Sequence, residues 1–458
     1  MKSKVLSNQW PRVEFRELIL GKPRHGIYKP IEFFGKGVQI VKMGTLMNND
    51  FITDEVITDL IEVNEKELKH HQVFEDDLLF LRTSLVMEGT GKCSIIKKLT
   101  NPTVFVSNLI AVTLNRKIAN PLFYYYYFSS KSGRNNVLSL CEQTAAATIR
   151  GSDLEKLTVP FPSLKEQNKI GDVLYSLDED IKLNLEMNKT LEAIAQAIFK
   201  SWFVDFEPFK DELIYNEELD KEIPKGWKVG TLKDVLLTIE SGSRPSGGVT
   251  NVSFGIPSIG AEHIIGLAKF DYSKVKYVPE EFFQKMKRGK VRNGDVLLYK
   301  DGAYIGRKAY FDYNFPFEKC CVNEHVFILR TNNIVTPRYL YFWLDQEWIT
   351  KLIINISLTS AQPGLNQQSL KTVPILIPKN DIVQQFDNAI EPFIALLFMN
   401  AKESRILEQI RDMLLPKLLS GEIRVKVGVE EEFPQGTKKL EEIKEEKSKI
   451  QKSILEWR

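Results

Sequence analysis

Apolar residues recur every three or four positions in one stretch of the chain, between Leu164 and about Trp202. The stretch contains no Pro, and its only Gly is Gly171, near the start. This spacing predicts a long helix with one apolar face, which must be buried against another element. Two polar residues interrupt the stripe, which runs through Ile170, Leu174, Leu177, Ile181, Asn184, Asn188, Leu191, Ala195, Ile198 and Trp202.

A second stripe of the same period lies near the end of the chain. Its polar interruptions, Asn400 and Ser404, each follow an Asn of the first stripe by 216 positions. Pro392 and Pro416 lie inside this stripe, so a kink or a split of the second helix is predicted. The second stripe runs through Phe386, Ile390, Phe393, Leu397, Asn400, Ser404, Leu407, Arg411, Leu414 and Leu418.

Short segments that precede each stripe also occur twice, at offsets between 214 and 218 positions. A repeat this long indicates a duplicated domain, because solenoid repeats recur every ~20–50 residues. A duplicated binding domain can read two sites at once. The clearest pairs are Trp10–Phe15 with Trp227–Leu232, Asp77–Phe80 with Asp295–Leu298, and Thr158–Pro160 with Thr372–Pro374.

The apolar face of each long helix has an obvious partner in its own duplicate. If the helices pair antiparallel, a pseudo-twofold relates the halves and Asn184 meets Asn400 near the centre, where an Asn pair fixes register. A helix of about 38 residues spans roughly 57 Å, which suits recognition units about one to two DNA turns apart. Parallel pairing, and packing of each helix only on its own globule, remain open alternatives.

Each half mixes short apolar runs with turns, which predicts strands. An N-cap followed by Pro predicts one short aromatic helix per half, after Asn120-Pro121 and after Thr336-Pro337. The predicted class is α+β: two globular domains separated by two long antiparallel, coiled-coil-like helices, with a pseudo-twofold internal repeat. The predicted strands are 37–41, 76–81, 108–114, 158–161, 255–259, 294–299 and 325–329.

These patterns divide the chain into six segments. The tail is dense in Glu and Lys, which predicts an exposed or loosely packed helix. The segments are a first domain at 1–163, a helix at 164–206, a linker at 207–223, a second domain at 224–378, a helix at 379–421 and a charged tail at 422–458.

Charge is distributed unevenly along the chain, although the net charge is only +2. Residues 1–162 carry 21 Lys and Arg against 17 Asp and Glu, and residues 224–378 carry 20 against 13. The connecting residues 163–223 carry 7 against 15. Two basic globules and an acidic connector suit two surfaces that meet a polyanion.

The composition is that of an ordinary globular protein, with 43% hydrophobic and 27% charged residues. No run approaches the ~18 apolar residues of a membrane span. No apolar segment follows Met1–Lys4, so no signal peptide is expected. The chain is therefore predicted to be cytoplasmic, with free thiols at its four Cys residues.

The common catalytic motifs are missing from the sequence. It has neither a GxxxxGK[ST] phosphate loop nor a GxGxxG after a strand. Asn120–Phe123 resembles the Asn-Pro-Pro-Phe/Tyr motif of adenine N6 methyltransferases, but the second Pro is missing, so a helix start is the better interpretation. The five His residues lack metal-ligand spacing. No catalytic, cofactor-binding or metal-binding residue is therefore predicted.

Three loops of each half carry side chains suited to DNA. Loops 21–26, 82–84 and 148–152 correspond to loops 241–248, 300–307 and 360–366. Arg can bridge guanine O6 and N7, and Gln or Asn can bridge adenine N6 and N7. Ordinary surface turns are the alternative. The predicted DNA-binding residues are Arg24, Arg82, Arg150, Arg244, Lys300, Tyr304, Arg307, Gln362 and Asn366.

The ends of the long helices resemble those of the specificity subunit of type I restriction-modification systems. The resemblance extends from Trp10 to Ile423 and is specific in the helices but weak in the globules. The second copy departs from the family pattern at Pro378–Gln384. The segments that carry the resemblance are Thr158–Pro160, Pro162–Gln167, Leu191–Phe206, Ile223–Trp227, Thr372–Pro374 and Leu414–Ile423.

The resemblance implies two target-recognition domains, each of which binds one half of a split site in double-stranded DNA. It also implies that the helices set the spacer and dock two methyltransferase subunits and, through them, two restriction subunits. Those partners would carry S-adenosylmethionine, ATP and Mg, and this chain would be a non-catalytic specificity subunit. The alternatives are a two-headed protein-binding scaffold without DNA specificity and a divergent fused DNA methyltransferase. The recognised bases, and the presence of a restriction subunit, stay open.

Overall fold

The computed structural model describes residues 10–84, 89–141, 147–217, 221–249, 252–358, 364–425 and 437–455. It divides into two compact units. The first unit comprises residues 1–180 and 407–433, and the second comprises residues 181–406 and 434–458. The division falls within the two long helices, so each unit holds a globular part and a portion of both helices. No helix of the described ranges is long and apolar enough to cross a membrane.

The first unit is built from short strands and helices. Its strands are β1 (Arg12–Glu14), β2 (Arg24–His25), β3 (Phe34–Val41), β4 (Phe51–Ile52), β5 (Leu60–Ile61), β6 (Leu78–Leu81), β7 (Thr83–Ser84), β8 (Cys93–Ile96), β9 (Thr103–Phe105), β10 (Leu109–Val112), β11 (Ala147–Thr148) and β12 (Thr158–Pro160). Its helices are α1 (Met43–Asn48), α2 (Glu65–His71), α3 (Pro121–Ser129), α4 (Lys131–Leu138), α5 (Gly151–Leu154) and the first portion of α6 (Leu164–Phe203).

The second unit has the same mixture of elements. Its strands are β13 (Leu213–Asn216), β14 (Lys221–Pro224), β15 (Lys228–Thr231), β16 (Leu236–Ser241), β17 (Ile256–Ile259), β18 (Lys276–Val278), β19 (Asp295–Tyr299), β20 (Lys308–Phe311), β21 (Cys321–Val322), β22 (Val326–Thr331) and β23 (Pro374–Ile377). Its helices are α7 (Leu232–Val235), α8 (Glu280–Lys285), α9 (Pro337–Asp345), α10 (Glu347–Leu358), α11 (Gln367–Lys371), most of α12 (Asn380–Ser420) and α13 (Thr437–Leu455).

The sheets of the two units correspond in strand order, except that β4 of the first unit has no counterpart among the described residues of the second. One sheet has the order β2-β10-β6-β8-β4 in the first unit and β16-β22-β19-β20 in the second. A smaller sheet has the order β5-β3-β9 in the first unit and β18-β17-β21 in the second, with one parallel pair in each. The pairs β1·β12 and β15·β23 close the two globular parts. This agreement supports the predicted duplication and confirms the α+β class.

The aromatic helix of each unit is its buried centre. Asn120 accepts a hydrogen bond from the Phe123 backbone N–H at 3.0 Å, and Thr336 accepts one from the Tyr339 N–H at 3.2 Å, so both predicted N-caps are confirmed. The hydroxyl of buried Tyr124 donates to a carbonyl of β12 at 3.0 Å, and that of buried Tyr339 donates to a carbonyl of β23 at 2.7 Å. The same hydrogen bond thus ties the aromatic helix to the closing strand pair in each unit.

The second long helix is continuous, so the predicted split at Pro392 or Pro416 does not occur, and the predicted kink stays a prediction. α12 runs unbroken for 41 residues, and α6 runs for 40. An internal Pro costs about 3 kcal/mol. Buried apolar residues on either side of Pro392, such as Ile390 and Ile394, offset that cost, because each contributes about 1.5–3 kcal/mol on burial.

The two long helices run antiparallel within each unit, as predicted. In the first unit the Arg411 guanidinium lies 2.6 Å from the Asp178 carboxylate. In the second unit Asn188 Oδ1 accepts a hydrogen bond from Asn400 Nδ2 at 2.8 Å, while the rings of Phe203 and Phe386 are in contact. Residue numbers thus rise along one helix as they fall along its partner.

The predicted meeting of Asn184 with Asn400 is wrong by one helical turn. Both residues are buried, but Asn400 contacts Asn188, and Asn184 Nδ2 donates to the Glu403 carboxylate at 3.1 Å. The prediction placed the centre of the pair at the midpoint of the first helix. Side-chain packing fixes the register instead, and it centres the pair two residues later, between Asn184 and Asn188.

Two predicted segments have more structure than expected. In the predicted linker, β13 and β14 form an antiparallel hairpin whose Ile223 is buried. In the predicted tail, α13 is not simply exposed, because Ile443 is buried and the helix belongs to the second unit. In both segments, a few apolar residues among many charges are enough to bind a short element to the core.

Candidate nucleic-acid interface

The three predicted loops of the first unit lie together. The pairing of β7 with β11 places the hydroxyls of Thr83 and Thr148 3.3 Å apart. Next to that pair, the backbone N–H of Ile149 donates to the Arg82 carbonyl at 3.0 Å. Gly151 approaches loop 21–26 so closely that a Cβ there would lie 2.8 Å from Pro23. The loops therefore form one surface, although Pro23 and Gly151 are 128 positions apart in the sequence.

Arg82 and Arg150 supply positive charge to this surface. Burial lowers the pKa of His25, and the positive charge of nearby Arg82 lowers it further. Arg82 is thus close to loop 21–26, and Arg150, which precedes α5, is exposed. Two cations on converging loops suit contacts with phosphate or with base edges.

Arg24 has a structural role in the first unit. Its guanidinium lies 2.5 Å from the carboxylate of Asp77, which is fully buried, and 3.2 Å from the Thr113 hydroxyl. In the second unit the matching carboxylate, Asp295, is paired at 2.6 Å with Arg330 of β22. Burial raises the pKa of Asp295, and the Arg330 ion pair opposes that shift. Arg24 and Arg330 therefore neutralise buried carboxylates. A contact between Arg24 and DNA stays a prediction.

The loops of the second unit also lie together. The backbone N–H of Leu365 donates to the Lys300 carbonyl at 2.8 Å. Gly364 lies so close to Asp301 that a Cβ there would be 2.7 Å from its carboxylate. Gln367 Nε2 donates to the carbonyl of Ile239 in β16 at 3.0 Å. Loop 300–307 and the described residues 364–367 therefore lie together next to β16, which leads into loop 241–248, as the matching segments do in the first unit.

A chain of ionisable side chains links these loops. Arg244 Nε lies 2.9 Å from the Glu324 carboxylate, which lies 3.3 Å from His325 Nε2. On its other side, His325 Nδ1 lies 3.0 Å from Asp301, which also pairs with Lys300 at 2.7 Å. Arg244 and Lys300 were predicted for this surface. The other three were missed, although Asn323, which follows Asn108 of the first half by 215 positions, directly precedes Glu324.

Tyr304 and Arg307 lie in the loop that joins β19 to β20. The Arg307 guanidinium stacks over the Tyr304 ring at 3.8 Å, and both side chains are exposed. The hairpin is closed by a hydrogen bond from the Tyr299 N–H to the Arg307 carbonyl at 2.8 Å. A guanidinium stacked on an aromatic ring loses little freedom when it binds, which suits it to a base edge or a phosphate.

The remaining two predicted residues lie in loop 360–366. Gln362 is outside the described residues. Asn366 caps α11, because its Oδ1 accepts a hydrogen bond from the Ser369 N–H at 2.8 Å. That bond uses the amide oxygen that a bidentate adenine contact would need.

The side chains of both surfaces are of the types that contact DNA in proteins. Arg and Lys suit phosphates and guanine, and carboxylates such as Glu324 can accept from the amino group of cytosine. In the described ranges, His, Cys, Asp and Glu form no group of three or more that could hold a metal ion.

Two segments of the chain match a known protein family. Residues 28–193 and residues 224–409 each match the family model described as the type I restriction modification DNA specificity domain. The chain belongs to this family. Members of the family are specificity subunits, the non-catalytic subunits of type I restriction enzymes, so the prediction that this chain is not itself an enzyme is confirmed.

Similar specificity subunits come from distant organisms. The chain is 31% identical over 397 residues to the type I restriction enzyme MjaIX specificity subunit of Methanocaldococcus jannaschii, covering 86% of this chain and 88% of that one. It is 23% identical over 487 residues to the HindI specificity subunit of Haemophilus influenzae, covering 90% and 100%.

A solved specificity subunit has the same fold. The crystal structure of the type I restriction-modification S subunit from M. genitalium matches with a TM-score of 0.60 at 16% identity, covering 92% of this chain and 98% of that one. At this identity the likeness shows the fold alone. Two family matches in one chain agree with the similar strand orders of the two units.

Proposed function

We propose that this specificity subunit reads a bipartite site in double-stranded DNA, with one half-site for each unit. One observation carries the proposal: three loops far apart in the sequence converge in each unit, and the loops correspond between the two units. Their cations, amides and carboxylates are the groups that read base edges and hold phosphates. The net positive charge of both globular segments favours the same ligand.

The long helices would set the length of the spacer between the half-sites and dock partner subunits. Continuous helices of 40 and 41 residues support a spacer role, because a helix transmits distance rigidly. By analogy with its relatives, which are named as subunits of type I restriction enzymes, the chain would bind two methyltransferase subunits and two restriction subunits. S-adenosylmethionine, ATP and Mg would then be bound by those partners.

A map of N6-methyladenine across the host genome tests this proposal, with the gene intact and deleted. We expect a split motif with a fixed spacer to lose its methylation on deletion, and complementation with the intact gene to restore it. If an expressed partner methylates the same motif with or without the gene, the proposal is wrong.

Two assays with the purified chain address the alternatives. A protein-binding scaffold would show no DNA affinity, whereas a DNA reader should lose affinity steeply between 50 and 200 mM salt, by roughly 10³-fold or more for about six phosphate contacts. A fused methyltransferase would bind S-adenosylmethionine without a partner, and this chain should not.

A further inference from the structure

The C-terminal helix α13 has an apolar seam of its own. Leu440, Ile443, Lys447, Ile450 and Ile454 follow each other at intervals of three and four positions. Ile443 is buried and the other four are half-buried, while every other residue from 441 to 452 is exposed. This is the pattern of a helix that packs along other helices through one narrow stripe. Lys447 is the only charged residue in the stripe.

Lys447 completes a polar cluster on the long helices of the second unit. Its Nζ contacts the Glu403 carboxylate and lies 3.0 Å from Asn184 Oδ1. Asn184 Nδ2 donates to the same carboxylate oxygen at 3.1 Å. Asn184 and Glu403 are each only 4% exposed, so the carboxylate has little access to water. A buried carboxylate needs a cation close by, and Lys447 supplies it.

Glu403 also makes the two long helices unequal as a surface on which α13 can pack. The two long helices are copies of one stripe in opposite orientations, so a third helix would meet similar apolar residues whichever way it ran. The counterpart of Glu403, 216 positions earlier, is Met187. A helix with a central cation is therefore stabilised where that cation meets Glu403. In this position Ile450 and Ile454 pack against the core of the second unit.

We propose that the centre of the helix pair, around Asn184 and Glu403, is a docking surface for the chain's own C-terminal helix. Lys447 fixes the register of the docked helix. The docked helix in turn shields Glu403 from water and holds the middle of the pair closed. The proposal does not depend on DNA recognition, so it can fail or succeed independently of the proposed function.

Amide hydrogen exchange of the full chain tests the proposal, with Lys447→Met compared to Lys449→Met. Both substitutions remove one positive charge from α13, but Lys449 is exposed. Lys447→Met leaves the Glu403 carboxylate buried without its cation. We expect amide exchange to accelerate at least about tenfold in residues 440–454 and around Asn184, and to stay within about twofold in Lys449→Met. Equal exchange in the two variants would overturn the proposal.

A double variant separates loss of the ion pair from general damage to the seam. Glu403→Met together with Lys447→Met removes both charges and leaves an apolar pair, which is often neutral or stabilising. We expect this variant to exchange more slowly than Lys447→Met alone, although it carries one more substitution. Exchange as fast as in Lys447→Met would show that the Lys447–Glu403 pair does not hold the helix, and would overturn the proposal.

Discussion

At the scale of a single residue, Arg307 offers the sharpest test of the candidate nucleic-acid interface. Its guanidinium is exposed and already stacked on Tyr304, so it can bind a base edge or phosphate at little entropic cost. We expect Arg307→Ala to lower the affinity of the assembled complex for its cognate DNA site about 10- to 100-fold. This is the affinity that one good contact to a base edge contributes. Competition binding at two salt concentrations measures the loss.

Arg292→Ala is the matched control for that substitution. Arg292 is also exposed, but it precedes β19, whereas the loop of Arg307 follows that strand. Its removal should change the affinity less than about twofold, the usual effect of a distant surface charge. If the two variants lost affinity equally, the loop after β19 would not be the DNA surface.

Single residues could be predicted from sequence where their partners are local. The caps of Asn120 and Thr336 act on amides three positions away, and both were predicted correctly. Arg24 pairs with Asp77, 53 positions away, and no local pattern predicts that ion pair. Asn366 looked like a base-reading amide, but its local geometry makes it a cap. A residue's type suggests its chemistry, and only the fold shows whether the side chain is already engaged.

The hydrogen bond between Asn188 and Asn400 is the clearest test at the scale of the long helices. Asn188→Leu leaves the fully buried Asn400 amide without its partner, which costs about 1–3 kcal/mol. Asn188→Leu with Asn400→Leu replaces the pair by apolar side chains and should recover most of that loss. Urea unfolding of the wild type, both single variants and the double variant gives the coupling energy. Additive losses would show that the two amides do not interact.

The elements were predicted best where a stripe is long. The 3-4 spacing of both long helices was strong enough to predict that they pair, although parallel pairing stayed open, and α12 forms despite its two internal prolines. The stripe of α13 was missed because Lys447 occupies its centre and charged residues dominate its composition. Register could not be predicted either, since an apolar stripe alone does not distinguish positions one turn apart.

At the scale of the whole molecule, the repeat predicted that there are two domains but not how each sheet is ordered. Many strands are only two to four residues long, too short for a local pattern to identify their neighbours. The convergence of the loops depends on that order, because β7 and β11 bring together segments more than 60 positions apart. Candidate loops could therefore be named from the sequence, whereas their common surface required the fold.

Exchange of residues 224–378 for the matching domain of another specificity subunit tests whether the two units read DNA independently. The exchanged domain is closed by its own strand pair, β15·β23, so both strands move together. It also packs on the long helices, where Tyr339 contacts Phe203 and Arg338 pairs with Asp387 at 2.9 Å. The donor domain should therefore keep residues equivalent to Tyr339 and Arg338. Loss of the Tyr339 contact would leave a cavity, and loss of the Arg338 ion pair would leave a buried charge unpaired. Each would lower the stability of the chimera by several kcal/mol.

With those contacts retained, we expect exactly one half of the methylated motif to change. The unchanged unit keeps its loops, and the unchanged helices keep the spacer. A genome-wide N6-methyladenine map of the chimera reads both half-sites and the spacer in one experiment. A matched chimera that exchanges residues 1–163 should change the other half. If either chimera altered both halves, recognition would be shared between the units, and the proposal of one half-site for each would be wrong.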